Sequence, residues 1–392
     1  MSPHQHPTQA SRPLSGVRML DFTRVLAGPY CTAMMADLGA DVIKVEAAQG
    51  DDYRHIGPFK DGESLLFQAI NRGKRSITLD LKSPDAIAVV KGLLADCDVL
   101  IENFRPGVMD KLGLGYDALQ QMFPRLVYVS VSGFGQTGPN TKNPAYDIII
   151  QAMSGLMDAT GEPEAPPTMV GEALGDVAGG LFAAWGTMVA LFDRHRTGQG
   201  RHVDVALFDG LVSMMPILAC RTLMGGDAPI RTGNRHPLSA PFGTYPAADG
   251  HFALAVLNDR LFTRFCEVIG QPELVQDERF TSDPLRRKNE PALADYIDQW
   301  AGKRPVDDVV ERLTAAGIPT SGIQSVTQAW ASPQATERGL ASTVTHPDLG
   351  ILNVPEQPVH FSGVARGGRK AAPALNADAE DILNSLNKEQ GA

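Results

Sequence analysis

The sequence predicts an α/β protein whose mostly parallel β-sheet is covered by helices on both faces. Short apolar runs of strand composition alternate with helical patterns through the first half of the chain, which is typical of β-α-β units. Polar loops containing Gly, Pro and Asn follow several of these apolar runs. With 392 residues, the chain can form one large domain or two medium domains.

The first half supplies the strands of the predicted sheet. In chain order these strands are 17–22, 41–45, 76–81, 98–101 and 126–132. Helices are expected between them, at 30–38 and at 84–97, where Ser83 precedes a proline at the first helical position. Ligands bind outside the carboxyl ends of parallel strands, so the loops TRVLAGP, LDLK, ENFRPG and SGFGQTGP are candidates for the functional site.

The second half begins with a smaller α+β pattern at 251–256. Helices are expected near 259–269, 290–301 and 305–316, and the run Arg286-Arg287-Lys288 is interpreted as a solvated group of charges. The domain organisation we expect is a flexible N-terminal extension (1–15), a large domain (16–224), a small α+β domain with linkers (225–326), and a C-terminal segment (327–392) that returns to the large domain.

A long helix is predicted in the middle of the chain, just after a short polar loop. Its apolar residues recur at three- and four-residue spacing, which predicts a largely buried helix. They are Val177, Leu181, Ala184, Trp185, Met188, Val189 and Phe192. Asp176 is expected at or beside the N-cap, where the positive helix end favours the ionised carboxylate. Gly175, Gly179 and Gly180 leave room for a bulky group to approach it, although a capping role alone is the commoner interpretation of such an aspartate.

Composition and charge exclude several classes of function. The net charge is −10 and no basic stripe with interleaved aromatics is present, so nucleic acid is not an expected partner. The four cysteines form no CxxC pair or Cys/His cluster, so we expect free thiols and no metal. No run of eighteen apolar residues lacks a charge, and the polar N-terminal segment does not resemble a signal peptide, so we expect no membrane association and a cytoplasmic location.

A dinucleotide-binding enzyme is a weaker hypothesis. Binding of NAD in this kind of fold favours a GxGxxG motif directly after the first strand. The chain instead has DFTRVLAG there, so NAD is not expected.

Seven segments resemble, in order and spacing, the class III CoA-transferases, the family of formyl-CoA:oxalate and carnitine CoA-transferases. They are DFTRVLAGP, ADLGADVIKVE, NRGKRSITLDLK, ENFRPG, PAYDIIIQAMSG, ALGD and RTGNRHP. The resemblance implies a Rossmann-like large domain built from both ends of the chain, a smaller middle domain, and an interlocked homodimer. It also implies acyl-CoA and a carboxylic acid as substrates, and the pattern is closest to members that use oxalate.

The resemblance implies that Asp176, in ALGD, is the catalytic nucleophile. Its carboxylate would attack a donor acyl-CoA thioester, and the resulting anhydride would be converted by the released CoA into an aspartyl-CoA thioester. An acceptor acid would then repeat these steps in reverse. Covalent capture of this kind divides one difficult exchange into easier steps, and backbone N–H groups could stabilise the oxyanions that form.

The resemblance also assigns residues that contact CoA or substrate. Those expected at CoA are Arg24, Val25, Ala27, Leu79, Lys82, Asn103, Phe104, Arg105, Lys111 and Tyr146. Gly175, Arg235 and His236 are candidates at the substrate, the last two by charge, because arginine suits a carboxylate. From the residues alone, Lys82 and Lys111 could be solvated lysines, Tyr146 could simply pack, and His236 could be a loop histidine without a catalytic task.

Two departures from the family pattern and one contrast with a related branch bear on function. Ala47 replaces a basic residue that follows the strand-end IKxE in formyl-CoA:oxalate enzymes, and no GGGG loop is present, so Gly225-Gly226 and the 231–237 loop are candidates for shielding the intermediates. Tyr146 stands where the racemase branch of the superfamily has a catalytic His, which favours CoA transfer. A 2-methylacyl-CoA racemase and a non-catalytic CoA-binding protein are the alternatives.

Overall fold

The computed structural model describes residues 12–225 and 231–389, and its contacts divide the chain into two units. The first unit comprises Met1–Leu156, Met169–Gly226 and Gln334–Ala392, and the second comprises Met157–Thr168 and Asp227–Pro333. Most of the expected N-terminal extension (1–11) and Gly226 lie outside the described residues. The short stretch Met157–Thr168 belongs to the second unit, although the sequence pattern placed it within 16–224, because the Gly161 carbonyl accepts a hydrogen bond from the Gly233 N–H.

Strands and helices alternate along most of the described ranges. In chain order the strands are β1 Arg18–Asp21, β2 Asp41–Glu46, β3 Phe59–Lys60, β4 Glu63–Ser64, β5 Arg75–Thr78, β6 Val99–Glu102, β7 Val127–Ser132, β8 His202–Ala206, β9 Phe242–Ala247, β10 Gly250–Ala255, β11 Thr320–Gly322, β12 Ala341–His346 and β13 Gly350–Pro355. The helices are α1 Ala27–Asp37, α2 Leu65–Asn71, α3 Pro84–Leu94, α4 Val108–Lys111, α5 Tyr116–Met122, α6 Asp147–Met153, α7 Leu156–Ala159, α8 Leu174–Thr197, α9 Leu207–Ser213, α10 Pro216–Leu223, α11 Asp259–Val268, α12 Asp283–Lys288, α13 Glu290–Ala301, α14 Val306–Ala315, α15 Val326–Ala331, α16 Pro333–Glu337 and α17 Ala379–Glu389.

The first unit is built on a six-stranded sheet in the order β5-β2-β1-β6-β7-β8, in which every pairing is parallel. The prediction of an α/β fold with a mostly parallel sheet is therefore confirmed. The chain winds outward in one direction from β1 and in the other from β6, so the strand order reverses between them. Such a reversal opens a crevice at the carboxyl ends of the two strands.

Apolar side chains cover both faces of this sheet, which explains why its strands read as nearly continuous apolar runs. On one face Met19 and Val129 pack with residues of α1 and α8. On the other face Leu20 and Tyr128 pack with residues of α3, and Ile382 of α17 joins the same cluster. The C-terminal helix is thus part of the core of the first unit.

Helix α8 packs mainly through small residues, while two of its large apolar residues, Phe182 and Leu191, are partly buried against the same core. Ala178, Gly179 and Ala183 are buried, and α8 lies against α1, α9, β7 and β8. A Cβ on Gly179 would lie 2.1 Å from the Leu207 side chain, and one on Gly180 would lie 2.6 Å from the Ala27 carbonyl oxygen. These glycines therefore permit close packing of α8 against α1 and α9, and the expectation that they also leave room for a ligand at Asp176 stays a prediction.

The large apolar residues of α8 form a stripe that is exposed in the single chain. This α8 stripe consists of Leu181, Trp185, Val189 and Phe192, which are 43%, 66%, 49% and 79% exposed. The periodicity correctly indicated that these side chains share one face, but the prediction that this chain buries them was wrong.

Length and composition alone would allow one helix of the described ranges, α8, to cross a membrane. No such segment is expected from the sequence, because no run of eighteen apolar residues lacks a charge. A helix in the core of a folded domain passes the same test, and α8 contacts two strands and three helices of the first unit, so its composition is only weak evidence of a span.

The second unit contains an antiparallel sheet in the order β11-β10-β9. Helices α11, α13 and α14 supply Phe265, Ile297 and Leu313 to its core, which confirms the helices expected in this region. Arg286 is 1% exposed and is not part of a solvated charge run. Its guanidinium donates to the carbonyls of Ala240 and Phe280, both at 3.1 Å, and lies over the Phe262 ring.

Arg286→Ala should destabilise the second unit by about 2–4 kcal/mol, because two buried carbonyls lose a charged donor and the aromatic ring loses its packing partner. Scanning calorimetry would measure the change. Lys288→Ala removes an exposed charge from the same helix and should alter stability by less than about 0.5 kcal/mol. Equal effects of the two substitutions would contradict the assigned role of Arg286.

Candidate active site

Two loops meet at the crevice between β1 and β6. The first contains Arg24 and Val25 and the second contains Asn103 and Phe104. The Asn103 side chain accepts from the Arg24 N–H at 2.9 Å and donates to the Arg24 carbonyl at 2.8 Å. One amide side chain therefore satisfies both backbone groups of a loop residue and holds the two loops in register.

Two buried ion pairs hold the first loop in place. Lys44 lies 2.7 Å from Asp51, and Lys74 lies 3.1 Å from Asp21, with all four side chains fully buried. Burial alone would raise the pKa of Asp21, but Lys74 and Lys44 overcome it and hold that pKa at about 2. Lys44 also donates to the Thr23 carbonyl at 2.7 Å, which ties the charges to the loop backbone.

Val25 adopts a backbone conformation that β-branched residues rarely take. Its φ is +66°, and a left-handed conformation at such a residue costs on the order of 1–3 kcal/mol. The Val25 N–H donates to the Asp51 carboxylate at 3.1 Å. The buried Lys44–Asp51 pair thus fixes a strained residue at the edge of the crevice.

Two cavities open on these loops within the first unit. The first, of about 430 Å³, contains Asp176 among its lining residues, and the second, of about 520 Å³, lies against the ends of β2 and β5. Arg24 and Phe104 line both cavities. Volumes of this size suit a large organic ligand.

The structure brings most of the predicted CoA-contacting residues to these cavities. Those that line the first are Arg24, Val25, Ala27, Asn103, Phe104, Arg105 and Tyr146, and those that line the second are Arg24, Leu79, Lys82 and Phe104. Lys111 lines neither cavity. It ends α4, which begins at Val108, a residue that lines both. Ala47 also lines the second cavity, where Arg24 and Lys82 supply positive charge.

Asp176 lies in the first turn of α8 and does not cap the helix. The helix begins at Leu174 after Ala173, which has no capping side chain. Asp147, at the start of α6, accepts hydrogen bonds from the N–H groups of Gly175 at 2.7 Å and of Asp176 at 3.4 Å. The capping role expected for Asp176 therefore belongs to Asp147, and the Asp176 side chain is left to face the cavity.

The Asp147 carboxylate is itself held in place by a buried side chain. Gln151, one turn further along α6, donates to Asp147 at 2.7 Å and to the Glu172 carbonyl at 3.0 Å. Its side-chain oxygen accepts from the Val170 N–H at 2.9 Å. Gln151 thus fixes both the cap and the polar loop that leads into α8.

The surroundings of Asp176 disfavour its charge. Burial raises its pKa to about 7, and the Asp147 carboxylate adds to the effect. The expectation that the helix end simply favours the ionised form was therefore wrong, because desolvation and a second carboxylate outweigh the helix dipole. Near neutral pH, both protonation states of Asp176 are populated.

Tyr53 is a neighbour of Asp176 that no sequence motif indicates. Burial and the carboxylate of Asp176, together with those of Asp51, Glu172 and Asp147, raise its pKa to about 12. The phenol therefore stays protonated and lies within electrostatic range of Asp176. No local motif marks such a residue, since it approaches the site only through the loop after β2.

Of the three predicted substrate residues, Gly175 alone lies beside Asp176 in the first unit. A Cβ there would lie 3.0 Å from the Asp147 carboxylate and 3.2 Å from the Ile150 side chain, so a larger residue would crowd the cap. Arg235 and His236 belong to the second unit. Arg235 is ion-paired with Glu290 at 2.6 Å and lies over the Tyr245 ring. Nδ1 of His236 accepts hydrogen bonds from the backbone N–H groups of Leu238 and Ser239, and the His236 ring stacks on Phe242. These contacts hold the 231–237 loop within the second unit.

Known proteins resemble this chain in sequence and in architecture. A family model described as CoA-transferase family III matches residues 14–379. The chain is 43% identical to the acetyl-CoA:oxalate CoA-transferase of Acetobacter aceti over 91% of each chain. It is 36% identical to the succinyl-CoA:glutarate CoA-transferase of Mus musculus, over 99% of this chain and 90% of that one. A solved CAIB/BAIF family protein from Brucella suis has 37% identity and a TM-score of 0.84, with 96% of this chain and 100% of that chain covered.

The fold and the site therefore define an enzyme that acts on CoA thioesters. The chain belongs to CoA-transferase family III, and it is a class III CoA-transferase.

Asp176→Asn should stabilise the folded protein at pH 8 by on the order of 2–4 kcal/mol. The raised pKa means that the native state binds the proton more tightly than the unfolded chain, so ionisation of Asp176 costs stability as the pH rises from about 4 to about 7. The gain from the substitution should be small near pH 4 and vanish below about pH 3, where the carboxyl is protonated in both states.

Thermal unfolding measured from pH 4 to pH 8 would check this stability difference. Asp209→Asn is the matched control, since Asp209 is an exposed aspartate in the first turn of α9. A pH-independent difference between wild type and Asp176→Asn would show that Asp176 has an ordinary pKa.

Proposed function

We propose that the protein transfers CoA from a donor thioester, such as acetyl-, succinyl- or formyl-CoA, to a short dicarboxylic acid such as oxalate, with Asp176 as the nucleophile. The observation that carries the proposal is the position of Asp176. Its carboxylate lines a cavity with Arg24, Asn103 and Arg105, while Asp147 takes over the helix-capping task.

The proposed reaction has four steps in which every bond is accounted for. An Asp176 oxygen attacks the donor carbonyl carbon, the C–S bond breaks, and CoA leaves as a thiolate from a mixed anhydride. The thiolate then attacks the Asp176 carbonyl carbon and releases the donor acid, which leaves an aspartyl-CoA thioester. The acceptor carboxylate attacks that thioester and again expels the thiolate. The thiolate finally attacks the acceptor acyl carbon, and Asp176 is regenerated without net loss or gain of a proton.

The charges around the cavities support an anionic thioester as substrate. Arg24, Lys82 and Arg105 are cations on the lining of the two cavities, and a CoA thioester carries several phosphate charges. The net charge of the whole chain is −10, so these local cations rather than the overall field would attract it. Because the pKa of Asp176 is about 7, transfer should rise with pH as the carboxylate becomes ionised.

The names of the relatives support a dicarboxylic acceptor. One acts with acetyl-CoA and oxalate and another with succinyl-CoA and glutarate, and both acceptors are short dicarboxylic acids. Oxalate is our first choice, since the relative named for it has 43% identity over 91% of this chain. A cytoplasmic location is proposed with this function, because a supply of acyl-CoA is needed.

Mass spectrometry of the products would test the transfer. Purified protein is incubated with acetyl-, succinyl- or formyl-CoA and a panel of short mono- and dicarboxylic acids. We expect new acyl-CoA from the wild type, undiminished product from Asp209→Asn, and at least a 10³-fold loss in Asp176→Asn, because an amide cannot form the anhydride.

Two outcomes would overturn the proposal in different directions. No exchange across the panel, from folded protein that binds CoA, would favour a non-catalytic CoA-binding protein. Incorporation of solvent deuterium at the α-carbon of a 2-methylacyl-CoA, without transfer, would favour the racemase alternative.

We also propose that the protein is an interlocked homodimer in which a second copy covers the α8 stripe. Trp185 and Phe192 are 66% and 79% exposed, and a contiguous apolar face of this kind marks an interaction surface. Residues of α6 add to the exposed apolar surface, with Ile148 at 52% and Met153 at 46%. Helix α6 also carries Asp147, so the proposed interface adjoins the catalytic helix ends.

Trp185→Glu should shift the molar mass in solution from that of a dimer toward that of the 42.0 kDa chain, because a charge would be buried against the partner. Light scattering after size-exclusion chromatography would measure it. Met122→Glu places the same charge on another half-exposed apolar position, in α5, and should leave the dimer intact. A monomeric wild-type protein would refute the homodimer.

A further inference from the structure

Phe104 forms a wall shared by the two cavities of the first unit. Its side chain lines both the cavity that contains Asp176 and the cavity beside Lys82. The position of this ring therefore affects both ends of any ligand that spans the two cavities.

The Phe104 N–H is bound by a buried carboxylate at the end of β6. Glu102 is 5% exposed, and one of its oxygens accepts from the Phe104 N–H at 2.8 Å. Glu102 lines neither of the two ligand cavities. It does not contact a ligand in either cavity directly, and its hydrogen bond to Phe104 links it to the loop that does.

A chain of hydrogen bonds reaches Glu102 from the neighbouring strands. Ser130 of β7 is among the groups that lower the pKa of Glu102 through a hydrogen bond, and the Ser130 hydroxyl lies 3.0 Å from Nε2 of His202 on β8. If the Ser130 proton points to Glu102, the His202 nitrogen must be the N–H donor. The His202 ring is held by stacking on Tyr116, with ring centroids 4.8 Å apart. All donors in the chain then point toward the Glu102 carboxylate.

We propose that Glu102 is a positioning residue for acyl-CoA binding: its buried carboxylate, held by Ser130 and His202, fixes the Phe104 backbone and thereby the wall between the two cavities. This role rests on the proposed function, because acyl-CoA is the ligand that the wall would contact. An ionised carboxylate suits the role, since hydrogen bonds to a charged acceptor are stronger than those to a neutral one.

The electrostatic surroundings make this role dependent on pH. Burial raises the pKa of Glu102 to about 7, the donors Ser130 and Phe104 oppose that rise, and the Asp110 and Asp204 carboxylates add to it. Glu102 itself lines a third, smaller cavity of about 180 Å³, and the other titratable or charged groups there are Arg105, Asp110, Asp117, Tyr116, Tyr128 and His202. Below about pH 7 Glu102 gains a proton, its carboxylate loses acceptor strength, and CoA affinity should fall.

Glu102→Gln tests the role while preserving shape. We expect the Kd for CoA, measured by calorimetry at pH 8, to rise roughly tenfold, because a charge-assisted hydrogen bond becomes a neutral one. The maximal rate of transfer at saturating acyl-CoA should change less than about twofold, since Glu102 does not touch the reacting atoms. Asp117→Asn removes a charge from the same small cavity without affecting the Phe104 N–H, and it should leave the Kd unchanged.

The variant Ser130→Ala provides a second measurement, the pH midpoint of CoA affinity, which would not change if Glu102 had only a structural role. Loss of the Ser130 donor removes an interaction that lowers the pKa of Glu102, so the midpoint of the pH dependence of CoA affinity should shift to higher pH. In Glu102→Gln the fall in CoA affinity on acidification below pH 7 should be smaller than in Asp117→Asn, because Asp176 still titrates in the cavity but Glu102 no longer does. If Glu102→Gln fails to fold, the shift of the pH midpoint in Ser130→Ala still decides whether Glu102 has a positioning role or only a structural one.

The results separate this role from the proposed function. If wild-type protein transfers CoA but Glu102→Gln binds CoA equally or more tightly, or Ser130→Ala leaves the midpoint unmoved, the positioning role is wrong and the function stands. If wild-type protein binds CoA in a Glu102-dependent way without transferring it, the positioning role stands and the proposed function is wrong.

Discussion

The hydrogen bonds from the first turn of α8 to Asp147 are the interactions on which the site depends. The first turn of a helix leaves backbone N–H groups without hydrogen-bond partners, and the Ala173 side chain cannot accept a hydrogen bond from them. Asp147 satisfies two of them, which leaves Asp176 in the same turn free of a capping role. The Asp147 carboxylate therefore caps the helix while the Asp176 carboxylate faces the cavity. In an isolated helix, the aspartate at the start would itself be the cap.

The sheet topology explains why the other residues of the site come from distant parts of the chain. The reversal of strand order brings the loops after β1 and β6 together, and Asn103 joins them at Arg24. The buried Lys44–Asp51 pair is costly to desolvate, but it holds the strained Val25 backbone. Charges inside the fold thus define the shape of the ligand cavities rather than add to overall stability.

Sequence periodicity predicted the α/β class, the helices of the second unit and most loops that line the cavities. It could not predict what covers a face, so the α8 stripe was expected to be buried and Arg286 to be exposed. Asp147 was missed for a related reason. It caps a helix that begins 27 residues later, at Leu174, and a cap supplied by tertiary contact leaves no local signature of the kind that Ser, Thr or Asp before a helix would give.

The pair of carboxylates also bears on the energetics of the proposed transfer. Asp147 lies close enough to Asp176 to help raise its pKa, so the ionised nucleophile is destabilised before reaction. Both covalent intermediates, the mixed anhydride and the aspartyl-CoA thioester, are neutral at Asp176. The repulsion is therefore relieved each time a bond forms to Asp176 and returns when the free carboxylate is regenerated. In this way Asp147 would favour covalent capture while its hydrogen bonds to α8 keep the nucleophile in place.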